Sequence, residues 1–188
     1  MSVKNKFLLE PASAVLLIID VQERLCAAMD REVLSQLARN AGILLESANE
    51  LGVPVIFTEQ YAKGLGPTLA ELKGRAPAAP CIEKMTFSCC GNDAFLKQLQ
   101  ETGRKQVIVS GMETHVCVQQ SVIELLDKGF DVHLVKDAVM SRSSDNRQTA
   151  IEAMALAGAV PTSTESVVFQ LLKIAGTESF KKLSQLVK

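Results

Sequence analysis

Six short runs rich in Val, Ile and Leu punctuate the chain: AVLLIID (14–20), VPVIFTE (53–59), CIEKM (81–85), QVIVSG (106–111), DVHLVKD (131–137) and AVPT (159–162). Runs this short, bounded by polar or turn residues, read as buried strands. Between the first two, Leu34, Leu37, Ala41, Leu44, Ala48 and Leu51 recur at three and four residues, which predicts a core-facing helix. Further helices are expected at about 92–102, 115–128 and 145–157, with a helical tail from Ser163. Strands that alternate with helices form βαβ units and a parallel sheet. The predicted fold is therefore α/β, a doubly wound sheet of about six strands in a single domain over residues 1–188. The segment 61–80 (YAKGLGPTLAELKGRAPAAP) breaks the rhythm, and its glycines and prolines predict a long irregular connection. Such loops in compact domains are functional or mobile, so this one is a candidate lid and interface.

In open parallel sheets, ligands bind beyond the carboxyl ends of the strands, where strand order reverses. Asp20, Glu59, Lys84, Gly111 and Asp137 lie at or near those ends. Glu59 and Asp137, taken singly, read as solvated strand termini. Asp20 follows six apolar residues and, with Gln22, interrupts a chain leaving the core; it is either a helix cap or a site residue. Cys117 opens the helix after the fourth strand. On a helical wheel Val118, Val122, Leu125 and Leu126 share one side, extended by Val116 and Ile123, whereas Cys117 falls with Ser121 and Glu124. A packing role is therefore disfavoured. The helix start, with its unpaired N–H groups and dipole, is expected to lower the thiol pKa and prepare a nucleophile. A carboxylate, an ammonium and a thiol would together supply a base, a cation and a nucleophile.

Composition narrows the partners. With Lys+Arg 20 against Asp+Glu 21, the net charge is −1, without the footprint of a nucleic-acid or anionic-membrane binder. Small molecules and like subunits are the expected partners. No apolar run approaches the roughly 20 residues of a membrane span, and MSVKNKFLLEPAS carries no long apolar signal region. Cysteines at 26, 81, 89, 90 and 117 make an odd set without a CxxC pair, which fits a reducing, cytoplasmic setting. Cys89 and Cys90 read as two separate small side chains, since adjacent cysteines bridge only with strain. Only His115 and His133 exist, one at the helix start and one in mid-strand, so a metal site is not expected. No GxGxxG or GxxxxGK[ST] motif is present, and no cofactor is implied.

LLIIDVQ, IEKMTFS and GMETHVCV together resemble the isochorismatase-like cysteine hydrolase superfamily, which includes nicotinamidases, N-carbamoylsarcosine amidohydrolases and isochorismatases. TEQYAKGLGPT (58–68) and ETHVCVQQSVIELLDKGFDVHLVKDAVMSRS (113–143) are most similar to its isochorismatase-domain subgroup. The resemblance implies a three-layer fold with strand order 3-2-1-4-5-6, Asp20 as general base, Lys84 as its cationic partner and Cys117 as nucleophile. It also implies a cis peptide between Met112 and Glu113 and an oxyanion hole from the Glu113 and Cys117 N–H groups. Gln60, Tyr61 and Phe87 would line the substrate pocket, and a homo-oligomer is implied. Two departures refine this. Nicotinamidases carry Asp-x-His after the second strand, where this chain has Glu59-Gln60-Tyr61, which places metal and nicotinamide in doubt. Isochorismatases often have glycine at the cysteine position, so Cys117 favours acyl chemistry.

The expected activity is thus metal-independent hydrolysis of a small amide or related acyl compound through a thioester. Two alternatives stay open at this point: an ether hydrolase in which Cys117 is dispensable, and a non-catalytic binding or scaffold protein on the same fold.

Overall fold

The computed structural model describes residues 3–188. Its centre is a six-stranded sheet in the order β3-β2-β1-β4-β5-β6, formed by β1 (Ala14–Ile19), β2 (Val55–Gln60), β3 (Cys81–Lys84), β4 (Gln106–Met112), β5 (Asp131–Met140) and β6 (Val160–Thr162). Every pairing is parallel.

β1 explains why its sequence is uninterruptedly apolar. Successive side chains of a strand point to opposite faces, and both faces of this sheet are covered. Leu16 and Ile18 pack with Leu37, Ala41, Leu44 and Ala48 of α3 (Arg31–Leu51) and with Val167 and Leu171 of α9 (Thr164–Leu172). Val15, Leu17 and Ile19 pack on the opposite side. Their partners come from α6 (Asp93–Glu101), α7 (Gln119–Asp127) and α8 (Ser144–Leu156). The predicted stripe on α3 faces the core as expected, with Leu34 and Leu51 partly buried at its ends. Asp30 caps this helix by accepting from the N–H groups of Glu32 and Val33 at 3.0 and 3.1 Å. Gly52, in the left-handed region at φ 66, ends it.

The chain begins with α1 (Val3–Phe7), and α2 (Glu23–Ala27) follows β1. The connection after β2 contains two one-turn helices, α4 (Ala62–Leu65) and α5 (Ala70–Lys73), so it is more ordered than its glycines and prolines suggest. The tail is helical, with α10 (Glu178–Leu183) seating Leu183 against Ile43 and Val168.

Two strand-end readings are corrected. β5 continues three residues past Asp137, whose Oδ1 accepts from the N–H and hydroxyl of Thr164 at 2.8 and 3.0 Å and ties β5 to α9. Glu59 lies inside β2 and accepts from the N–H and hydroxyl of Thr68 at 2.6 and 2.8 Å. Both carboxylates are structural links, and neither is a solvated terminus.

Candidate active site

β1 and β4 are sheet neighbours although two other strands separate them in sequence, so their carboxyl ends flank the point where strand order reverses. Asp20 leaves β1 there, fully buried and in the left-handed region at φ 51. Its N–H donates to the Thr58 carbonyl at 3.1 Å and its own carbonyl accepts from the Gln22 N–H at 2.9 Å. It is not a helix cap. Its Oδ2 lies 2.7 Å from Lys84 Nζ, and its Oδ1 accepts from the Thr58 hydroxyl at 2.7 Å.

Lys84 ends β3 and is equally hidden, with its side chain 0% exposed. A buried ammonium is stable only when its protons are placed. Here Nζ also donates to Gln60 Oε1 at 2.8 Å and to the carbonyls of Phe87 and Thr86 at 3.0 and 3.3 Å. Burial opposes its charge, but the Asp20 carboxylate beside it, by charge and as hydrogen-bond acceptor, leads the groups that raise its pKa above the ordinary lysine value. The pair is therefore an ammonium and an acceptor locked together out of water.

Cys117 departs from the sequence reading in two ways. It sits in a π-type turn, Thr114–Val118, that precedes α7, and it is 6% exposed among Val118, Val122 and other core residues. Its wheel neighbour Ser121 is fully buried too, so this polar side of the helix is enclosed and lack of an apolar stripe does not mean exposure. The thiol pKa is also raised. Burial pushes it up most, and the Asp20 carboxylate adds to this both by its charge and as a hydrogen-bond acceptor, while Lys84 opposes them. A helix terminus does not activate this thiol by itself. Cys117 therefore holds its proton at neutral pH, beside the Asp20 carboxylate.

The surrounding turns are fixed by polar contacts. The Ser121 hydroxyl donates to the Cys117 carbonyl at 2.6 Å and accepts from the Cys89 N–H at 2.8 Å. The Met112–Glu113 peptide is cis. The Glu113 carboxylate accepts from Arg142 N–H and Nε at 3.0 and 3.2 Å, and its carbonyl accepts from Val116 N–H at 3.0 Å.

Of the expected pocket residues, Gln60 belongs to the frame. Its Oε1 takes a Lys84 proton and its Nε2 donates to the Met85 carbonyl at 2.9 Å. Tyr61 and Phe87 are 45% and 54% exposed at the rim. The Tyr61 ring covers Gly64 so closely that a Cβ there would lie 2.2 Å from it. A groove of about 410 Å³ runs beside Lys84, Met85, Thr86, Gly91 and Asn92.

Sequence reasoning missed Thr58, Ser121 and Arg142 as site residues, and noted Gln22 only as an interruption. Gln22 is fully buried. Its Nε2 donates to the carbonyls of Gln60 and Gly66 at 3.0 and 2.7 Å, and its Oε1 accepts from the Gln60 N–H at 2.8 Å. The one available signal was Thr58, a polar residue inside the apolar run VIFTEQ.

Among the described residues no group of three His, Cys, Asp or Glu side chains is placed to hold a metal ion. Glu59, at the position of the nicotinamidase motif, is spent on Thr68, and His115 Nδ1 pairs with Ser141 Oγ at 2.9 Å. His133 lies in mid-strand on β5, fully buried.

Comparison with known proteins agrees with this architecture. The family model described as the isochorismatase domain matches residues 14–166. The chain is 40% identical to the secreted isochorismatase effector Isc1 of Phytophthora sojae, over 95% of its own length and 86% of the relative's. Two solved structures superpose over nearly the whole chain. YcaC from Pseudomonas aeruginosa, bound to hexane-2,5-diol and covalent acrylamide, gives a TM-score of 0.91 at 29% identity, covering 99% of this chain and 93% of that one. The YcaC gene product of Escherichia coli, described as an octameric hydrolase of unknown specificity, gives 0.88 at 27% identity, with 95% and 90% covered. By its matched domain and by its relatives, the chain belongs to the isochorismatase family.

Proposed function

We propose that the chain is a metal-independent cysteine hydrolase of a small amide or related acyl compound. The observation that carries this reading is the buried Asp20 carboxylate, paired with Lys84 at 2.7 Å and close enough to Cys117 for its charge to push the thiol pKa up. A thiol held protonated needs a base at the moment of attack, and Asp20 is that base. The Cys117 proton passes to Asp20 as sulfur bonds to the substrate carbonyl carbon. The Glu113 and Cys117 N–H groups receive the oxyanion. Asp20 returns the proton to the leaving amine, the C–N bond breaks, and a thioester remains. Water, deprotonated by Asp20, then attacks the thioester, and the released thiolate takes that proton back. The covalent acrylamide in Pseudomonas YcaC supports a fold that tolerates an electrophile in covalent attachment.

The raised thiol pKa also suits a second reading, in which Asp20 hydrolyses an ether by acid–base chemistry and Cys117 is a bystander. One experiment separates the two: a hydrolysis screen over small amides, esters and vinyl ethers with the wild type and Cys117→Ala. Turnover of an amide that disappears in Cys117→Ala supports thioester chemistry. Turnover that survives the substitution rejects it.

Assembly into a homo-oligomer is supported by the octameric Escherichia coli neighbour and is checked by light scattering over a concentration series. A cytoplasmic setting is supported by five free thiols and no disulfide, whereas the Phytophthora relative is described as secreted. No helix among the described residues is long and apolar enough to cross a membrane. Fractionation of cells expressing the chain decides its location, and recovery from the medium would overturn the cytoplasmic assignment.

A further inference from the structure

Thr58 grips Asp20 at two points. Its carbonyl accepts the Asp20 N–H at 3.1 Å, and its hydroxyl donates to Asp20 Oδ1 at 2.7 Å. Asp20 needs such a hold. Its φ of 51 lies where non-glycine residues are uncommon, and an unrestrained carboxylate would be free to turn about its last side-chain bond.

The direction of the hydroxyl is set from its far side. Cys89 Sγ lies 3.8 Å from Thr58 Oγ1 and donates to it. Burial and the charge of Asp20 push the Cys89 thiol up to about 12, so it keeps its hydrogen at neutral pH. A hydroxyl has a single hydrogen. With its oxygen already accepting from Cys89, Thr58 gives that hydrogen to Asp20. Lys84 cannot take over this role, because its ammonium serves Oδ2, Gln60 Oε1 and the carbonyls of Thr86 and Phe87.

We propose that Thr58, its hydroxyl oriented by Cys89, is the positioning residue that occupies Oδ1 of Asp20 and presents the carboxylate to the Cys117 proton. The proposal rests on the reading of Asp20 as the base for Cys117. Thr58 does not touch substrate and keeps its own hydrogen throughout. Its effect is on Asp20, since a carboxylate with one donor fewer holds a proton more tightly.

The test uses iodoacetamide, with the rate of Cys117 alkylation followed by peptide mass spectrometry from mildly acidic to mildly alkaline pH. Thr58→Val keeps the shape and removes the hydroxyl; Thr58→Ser keeps the hydroxyl and removes a methyl. Loss of a hydrogen bond to a charged group is expected to move the acid limb of the Thr58→Val profile up by about one pH unit. Thr58→Ser should return it to the wild-type position. A folded Thr58→Val protein with the wild-type profile overturns the proposal, and so does a Thr58→Ser protein that behaves like Thr58→Val. If wild-type labelling depends on Asp20, as shown by its loss in Asp20→Asn, but ignores Thr58→Val, only the positioning role falls. A wild-type Cys117 that is inert at every pH removes the base–thiol reading and this proposal with it.

Discussion

A Cβ on Gly111 would lie 2.1 Å from the carbonyl oxygen of Ile19. Gly111 also has a φ of 132, which L side chains rarely adopt. β4 therefore reaches β1 at the mouth of the crevice only because this residue has no side chain. Gly111→Ala should destabilise the fold by more than the ~1–3 kcal/mol of ordinary backbone strain. Thermal unfolding measures this, and an unchanged Tm would show that the strands part at no cost.

Removing one member of the Asp20–Lys84 pair should affect both chemistry and stability. Asp20→Asn removes proton transfer, and turnover should fall by the ~10²–10⁴-fold typical of one general acid–base group. Lys84→Met should impair turnover as well, since an unpaired buried carboxylate holds its proton. Because both side chains are 0% exposed, each single change should also cost about 3–5 kcal/mol. Assays therefore belong well below the lowered Tm. Near-normal turnover in a folded Asp20→Asn protein, on a substrate cleaved through Cys117, would reject the assignment.

Asp20 was legible as a candidate site residue because it ends an uninterrupted apolar strand, and strand ends of a doubly wound sheet converge. Lys84 was legible for the same reason, although CIEKM is a weak strand by composition. What was not legible is what holds them. Thr58 is a polar residue inside an apolar run, but being β-branched it also reads as strand former, so nothing in the sequence tied its hydroxyl to Asp20. Gln60 was assigned to substrate because nothing in a sequence tells a buried amide that braces Lys84 from one that faces a pocket. The burial of Cys117 was not legible because its wheel neighbour Ser121 is polar yet fully buried, its hydroxyl taken up by the Cys89 N–H and the Cys117 carbonyl.

His133 gives the fold an acid-sensitive point. It is fully buried, and neither ring nitrogen makes a hydrogen bond of ordinary geometry, the Lys6 backbone offering only a weak one. Burial lowers its pKa from 6.5 to about 4. The unfolded chain therefore binds a proton at this residue at a higher pH than the folded chain does. The associated stability is present above pH 6.5, declines as pH falls across that window and is lost below about 4. Its full size is roughly 3 kcal/mol. Chemical denaturation across this range should show a decline that His133→Phe makes shallower. Parallel curves for the two proteins would assign the acid sensitivity to other groups.

Chelation should leave turnover intact. Glu59 is committed to Thr68, and His115 and His133 are separately placed. Activity that is lost with EDTA and regained with zinc or iron would require a different donor set.

Gln22 spends both amide hydrogens on the carbonyls of Gln60 and Gly66. The stretch from Tyr61 to Gly66 is consequently tied at both ends to the chain leaving β1, which also delivers Asp20. Beside it, past the end of β3, Met85 and Phe87 stand 69% and 54% exposed, and Lys84 binds only the backbone of Phe87. Neither side chain hydrogen-bonds Asp20, Lys84 or Cys117, so the rim can change shape while the buried pair keeps its partners.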